Sequence, residues 1–196
     1  MISGLTFDEP SHTYRYAGEV VPSVTQLLEA EGISDFSMVP RDVLQAAQER
    51  GTAVHKATQY LDEGRLDFSS VDESLLGYLE AWERFKANLN VKILEIETPV
   101  YSELGYAGML DRVLEMNGVH EQWLIDIKSG PPTKAAVIQT AAYQFAHPLR
   151  DKIVGRAAVQ LSANGKYKLH LYTNDLLWDF SVFSAALTLY QFKRQP

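Results

Sequence analysis

Asp111, Asp126 and Lys128 are the residues of this chain best placed to do chemistry together. They lie in Gly105–Gly130, which reads GYAGMLDRVLEMNGVHEQWLIDIKSG. Two apolar, strand-like runs each deliver one aspartate, and the second adds a lysine two residues on. Side chains alternate across a strand, so Asp126 and Lys128 share one face and Ile125 and Ile127 the other. The isoleucines can then pack into a core while Asp126 and Lys128 face a cleft. Asp111 on the adjacent strand can stand beside Asp126, with Glu97 joining at the rim from the strand before. Clustered carboxylates raise one another's pKa unless a cation neutralises them. A hard divalent ion does so through oxygen ligands, lowers the pKa of a bound water and polarises a phosphoryl oxygen. Lys128 can orient that water, move a proton or stabilise developing negative charge. The pattern suits metal-assisted phosphodiester hydrolysis. The plainer alternative is an i, i+2 ion pair on an exposed strand. Against it, Trp123–Leu124–Ile125 and Ile127 mark a central strand, where charges are rarely buried without a partner.

The elements that must hold these residues follow from periodicity. Tyr14, Tyr16, Val20 and Val21 alternate around Gly18, which predicts a small hairpin within Leu5–Gln26. Ser23 caps a short helix running to about Ala30. Arg41–Asp62 is helical, with Val43, Leu44, Ala47, Val54, Ala57, Thr58 and Leu61 as its apolar stripe. Gly51 interrupts it at a cost of roughly 1 kcal/mol relative to Ala, a residue that often admits a neighbouring backbone or a ligand. Asp72–Asn88 is a second helix. Lys92–Tyr101, Tyr106–Glu115 and Gln122–Lys128 read as strands, the last two joined across the turn signal Asn117–Gly118. Lys134–His147 is helical and places Gln139 and Tyr143 one turn apart. Ala157–Ser162 and Tyr167–Tyr172 form a hairpin. Asp175–Lys193 is a final apolar helix whose stripe Trp178, Phe180, Phe183, Leu187 and Tyr190 is assigned to the core. The expected fold is α/β, with a central mixed sheet flanked by helices. A length of 196 residues fits one domain over 1–196.

Composition narrows the classes. With no cysteine, a disulfide framework, a cysteine-ligated zinc and an iron–sulfur cluster are all excluded. No apolar run reaches the ~18 residues of a membrane span. The N-terminus has neither the basic start nor the apolar stretch of a signal peptide. A cytoplasmic protein without membrane association is expected. Residues 1–125 hold 9 Lys/Arg and 21 Asp/Glu, a net of −12, whereas 126–196 hold 9 and 4, a net of +5. The asymmetry leaves room for a basic face despite an acidic total. Candidate phosphate contacts there are Lys134, Arg150, Lys152, Arg156, Lys166 and Lys168.

Gly108–Met109–Leu110–Asp111, Asp126–Ile127–Lys128–Ser129–Gly130 and Gln139–Thr140–Ala141–Ala142–Tyr143 resemble motifs II, III and IV of the PD-(D/E)XK nucleases. The RecB-type branch is the closer likeness, because Gly51–Thr52–Ala53–Val54–His55 matches its Gly-x-x-x-His on an early helix. His12–Thr13–Tyr14, Gly18 and Val21–Pro22–Ser23–Val24–Thr25 are similar to the start of small phage-type members. The resemblance covers nearly the whole chain and rests on several weak motifs in the right order. It implies a restriction-endonuclease-like core and one or two Mg²⁺ or Mn²⁺ ions bound by His55, Asp111, Asp126 and the Ile127 carbonyl. It implies that Lys128 is the catalytic lysine, that Gln139 and Tyr143 contact DNA or the attacking water, and that Glu97 serves a second metal or the water. The acid of motif III is Asp rather than Glu, as is usual in this branch. The missing cysteines set the chain apart from iron–sulfur members.

The implied activity is a DNA nuclease of little sequence specificity, an exonuclease rather than an endonuclease, in recombination, repair or phage replication. DNA would be its substrate, and a helicase, recombinase or single-strand-binding protein its partner. A DNA-binding accessory subunit, inert without such a partner, and a single-strand endonuclease remain open as alternatives.

Overall fold

The computed structural model describes residues 2–195. Three short strands open the chain: β1 (Leu5–Asp8), β2 (Thr13–Tyr16) and β3 (Glu19–Val21). They form a separate antiparallel sheet, one strand larger than the hairpin expected. Ser23 caps α1 (Val24–Ala30): its hydroxyl accepts the Gln26 amide at 3.1 Å while the Gln26 side chain accepts the Ser23 amide at 3.0 Å. Helices α2 (Arg41–Asp62) and α3 (Glu73–Asn88) follow. Then come β4 (Lys92–Ser102), β5 (Tyr106–Met116), β6 (Val119–Lys128), α4 (Lys134–Ala146), β7 (Ile153–Leu161), β8 (Tyr167–Tyr172) and α5 (Leu176–Phe192).

The main sheet has the order β4-β5-β6-β7-β8. Every pair is antiparallel except β6 with β7, the pair bridged by α4. A parallel pair needs such a crossover, since a tight turn cannot return the chain to the same end. The fold is therefore mixed α/β, with helices on both faces of a mixed sheet. On one face Val24, Leu27, Leu124, Phe180, Phe183 and Leu187 join α1, α4 and α5 to the sheet. On the other, Val54, Tyr78, Trp82, Phe85, Ile125 and Ile127 join it to α2 and α3. Ile125 and Ile127 thus pack inward as alternation requires.

Two apolar stripes differ from their sequence reading. In α2 only Val54, Ala57 and Thr58 are buried, while Val43 is largely exposed. The first half of the helix leaves the sheet and walls a cleft instead. In α5, Phe180, Phe183 and Leu187 are core, but Trp178 is 68 % exposed. A helix resting one face on a layer cannot bury residues spread around more of its circumference. Among the described residues no helix is long and apolar enough to cross a membrane.

Candidate metal centre

The site sits where β5 and β6 part. Their ladder runs from Met116↔Val119 to Arg112↔Ile125 and goes no further. Beyond it the Asp111 carboxylate fills the gap and accepts the Ile127 amide at 2.6 Å. The parallel pairing of β6 with β7 meanwhile continues to Lys128↔Gln160. The Ile127 amide therefore has a side chain, not a strand, as its partner.

Alternation also breaks here. Leu110 packs with α1, α4 and α5, yet Arg112, two residues on, reaches Asp62 and Trp82 on the opposite side. Across β4, Glu97 adopts φ 42°, a left-handed conformation costing of order 1–3 kcal/mol for a residue with a side chain. The kinked backbone turns the Glu97 carboxylate toward Asp111. One donor atom each from His55, Glu97 and Asp111 then lie within 4.8 Å of one another. His55 comes from the middle of α2, with its Nδ1 3.4 Å from Asp111 Oδ1.

Asp126 and Lys128 adjoin this trio. Lys128 Nζ donates to Asp126 Oδ1 at 2.9 Å. Asp126 is 2 % exposed, so it lies beneath the cleft rather than facing it, and its Oδ2 has no partner. Lys128 and Ile127 line a cleft of ≈ 920 Å³ together with His55 and Glu97. Gly51 lies on the same wall, and a Cβ there would stand 3.8 Å from Ser129 Oγ, an ordinary contact, so the glycine is not sterically required.

The charges explain one another. Burial, with the neighbouring Asp111 charge, pushes Glu97 up to about 7. Burial pushes Asp126 up to about 6, although Lys128 opposes it. His55 is discharged by burial, but the Asp111 carboxylate outweighs that and lifts it to about 8. Asp111 itself resists its burial: His55, Lys128 and the Ile127 amide hold it below the usual carboxylate range. Against desolvation, Asp126 and Asp111 hold Lys128 above its ordinary value. The site thus crowds three carboxylates among His55, Lys128 and Arg112. An oxygen-seeking divalent ion fits this donor set, and the orphaned buried Asp126 Oδ2 is the kind of atom such an ion satisfies.

Gln139 and Tyr143 meet on α4, the amide Nε2 donating to the phenol oxygen at 3.0 Å. Tyr143 is buried, its ring over Gly108, where a Cβ would come within 2.4 Å of the ring. Gln139 lines a smaller pocket of ≈ 280 Å³ on the far side of Lys128.

The six basic candidates divide by position. Arg156 is a correction: it is 3 % exposed and spends its guanidinium on Asp179 at 2.6 Å and the Val137 carbonyl at 2.9 Å. No phosphate can reach it. Arg150 and Lys152 precede β7 at the Gln122↔Ile153 end of the sheet, the end away from Lys128. Lys134 opens α4, and Lys166 and Lys168 lie at the Lys128 end; all three are exposed.

Sequence reasoning missed Asp62 and Arg112. Arg112 is wholly buried and donates to Asp62 at 2.9 Å, to Glu97 at 3.0 Å and to the Asp111 carbonyl at 2.7 Å. Asp62 also accepts from Trp82 at 2.9 Å and Lys86 at 2.8 Å. The one sequence signal was an arginine inside an apolar strand, directly after a candidate ligand.

No family model matches the chain, and no curated protein matches it. Among solved structures, the crystal structure of SSO0001 aligns over 70 % of this chain and 73 % of its own, at 16 % identity and a TM-score of 0.35. A likeness that weak carries no argument about fold or function.

Proposed function

We propose that this chain is a divalent-metal-dependent DNA nuclease of the PD-(D/E)XK type, RecB-type branch, acting as an exonuclease with little sequence specificity. The observation that carries the reading is the meeting, at the fork of β5 and β6, of His55, Glu97 and Asp111 with the Asp126–Lys128 pair. His55, Glu97, Asp111 and Asp126, with the Ile127 carbonyl, would hold Mg²⁺ or Mn²⁺. The bound ion would supply an acidified water and a counter-charge for the phosphate.

The remaining roles belong to the chain. Lys128, hydrogen-bonded to Asp126, orients water, moves a proton or stabilises charge on the phosphate. Asp111 braces the fork through the Ile127 amide while offering its second oxygen, beside His55, to the site. Gln139, fixed by Tyr143, contacts DNA or the water. Lys134, Lys166 and Lys168 attract the backbone without reading bases. The setting is cytoplasmic DNA recombination, repair or phage replication, beside a helicase, recombinase or single-strand-binding protein.

The test incubates the purified chain with linear duplex, linear single-stranded and circular single-stranded DNA in Mg²⁺, Mn²⁺ or EDTA. Metal-dependent loss of linear DNA alone, reduced about 10²–10⁴-fold in Lys128→Ala, is the expected result. Cleavage of circles makes it an endonuclease. No cleavage at all, with no calorimetric Mn²⁺ binding that Asp111→Ala removes, overturns the enzyme and leaves an accessory subunit.

A further inference from the structure

The first sheet contributes a part of the cleft that the metal chemistry does not use. Phe7, His12 and Tyr14 line it beside His55, Glu97 and Lys128. The Phe7 ring stacks on Tyr14 with centroids 4.5 Å apart at 29°, and meets His12 edge-on at 5.3 Å and 89°. Tyr14 is 1 % exposed and backs the group, whereas Phe7 is half-buried and His12 exposed.

The turn that carries His12 is locked. The Ser11 amide donates to Asp8 at 3.0 Å, the His12 amide to the Glu9 carbonyl at 3.2 Å, and the Thr13 hydroxyl to the Ser11 carbonyl at 3.1 Å. His12 takes φ 48°, a conformation a residue with a side chain adopts at a cost. The sheet itself is moored to the site, because the Ala107 amide at the start of β5 donates to the Pro22 carbonyl at 3.0 Å and Tyr16 stacks on Tyr101 at 3.8 Å.

The α2 side of the cleft is polar: Gln48, Arg50 and Thr52 line it, and Lys56 reaches across to pair with Glu9, in the turn that carries His12, at 2.8 Å. Aromatic faces on one side and amide, hydroxyl and cationic groups on the other match a strand whose bases turn one way and whose phosphates turn the other. The cleft between these walls encloses ≈ 920 Å³, and a base that stacks on an aromatic face there must first leave its own pair and stack.

We infer that the Phe7–His12 surface is a stacking platform for an unpaired base, so that the strand entering this cleft is single-stranded DNA. The inference rests on the nuclease reading and adds the strand state of its substrate. Base stacking on an aromatic side chain tolerates any sequence, because every base offers a π-face. That agrees with the low sequence specificity of the proposed activity.

The experiment measures fluorescence anisotropy in a Lys128→Ala background with Mg²⁺, so that bound DNA survives. The probes are a labelled oligothymidylate, an abasic strand of equal length and a blunt duplex. Phe7→Leu keeps apolar packing against Tyr14 and removes the π-face, while Phe7→Trp keeps both. Phe7→Leu is expected to weaken oligothymidylate binding about 5–100-fold, with Phe7→Trp near the parent, and to leave the abasic strand and duplex unchanged. Equal binding of oligothymidylate by Phe7→Leu and its parent overturns the platform, as does an equal loss on the abasic strand. Failure of the nuclease reading looks different. In that case the parent chain degrades no DNA while oligothymidylate binding still depends on Phe7.

Discussion

Two arginines buried in the same sheet do opposite things. Arg156 on β7 faces α4 and α5, where its guanidinium meets Asp179, the Val137 carbonyl and Thr140. None of these groups reaches the cleft, so the pair closes on itself. Arg112 on β5 faces α2 and α3, equally hidden from water. It is anchored at Asp62 but extends to Glu97 and the Asp111 carbonyl, both at the site. One of its amino groups is left without a partner. A buried arginine thus says little about function by itself. What distinguishes the two is whether the chain of partners ends in the core or in a cleft.

The largest expected effect is on stability. Arg156→Ala strands Asp179 in the core and is expected to cost about 3–5 kcal/mol by denaturant unfolding. Arg156→Met with Asp179→Leu removes both charges and is expected to recover most of that loss, with Mn²⁺ affinity of the folded protein unaltered. A changed affinity would break the distinction.

The next effect is on the site. Arg112→Met frees Glu97 from its fixed orientation and is expected to weaken calorimetric Mn²⁺ binding about 10–100-fold. Arg112→Lys keeps the charge without the fork that spans Asp62 and Glu97, so it is expected to restore only part of the affinity. Unaltered Mn²⁺ binding in Arg112→Met would make Arg112 as purely structural as Arg156.

The smallest effect is of pH, and it should appear at the Arg112 end alone. Glu97 near 7, Asp126 near 6 and His55 near 8 are all raised above their ordinary values. A raised folded-state value means the metal-free fold binds extra protons, stability present at low pH and lost as pH rises through those values. Asp111 is lowered and contributes the other way, its share being lost only in acid. The melting temperature of metal-free protein is therefore expected to fall between about pH 5 and 8. If the site binds Mn²⁺ as proposed, its affinity is expected to rise over the same interval as protons leave the ligands. A melting temperature independent of both pH and Mn²⁺ would count against a crowded acidic centre.

The order of elements was legible because each carried a local signal. Alternation marked β4, β5 and β6, Asn117–Gly118 marked their turn, and Ser23 with Gln26 marked the start of α1. The exposed half of α2 and the outward Trp178 were not legible, since a stripe records which residues are apolar but not how far a neighbouring layer extends. Among the site residues, the sequence put Asp126 in the cleft beside Asp111. The fold buries it beside Lys128 with one oxygen unpartnered, and brings Glu97 from the rim into a tight trio with His55 and Asp111.

By itself the sequence determined a helix–strand order closing into one mixed sheet, the absence of any cysteine-based centre, and the strand positions that bring carboxylates and a lysine to one end. These follow from side-chain periodicity and donor chemistry, which are properties of the residues alone. Only the tertiary structure decided which charges neutralise each other. It assigned Arg156 to Asp179 across 23 residues and Arg112 to Asp62 across 50. It turned Glu97 inward through a left-handed backbone, and set Phe7 and His12 beside a candidate metal centre that begins more than forty residues later. Pairings of that kind depend on the register of distant strands and on burial, and neither is written in any local stretch of chain.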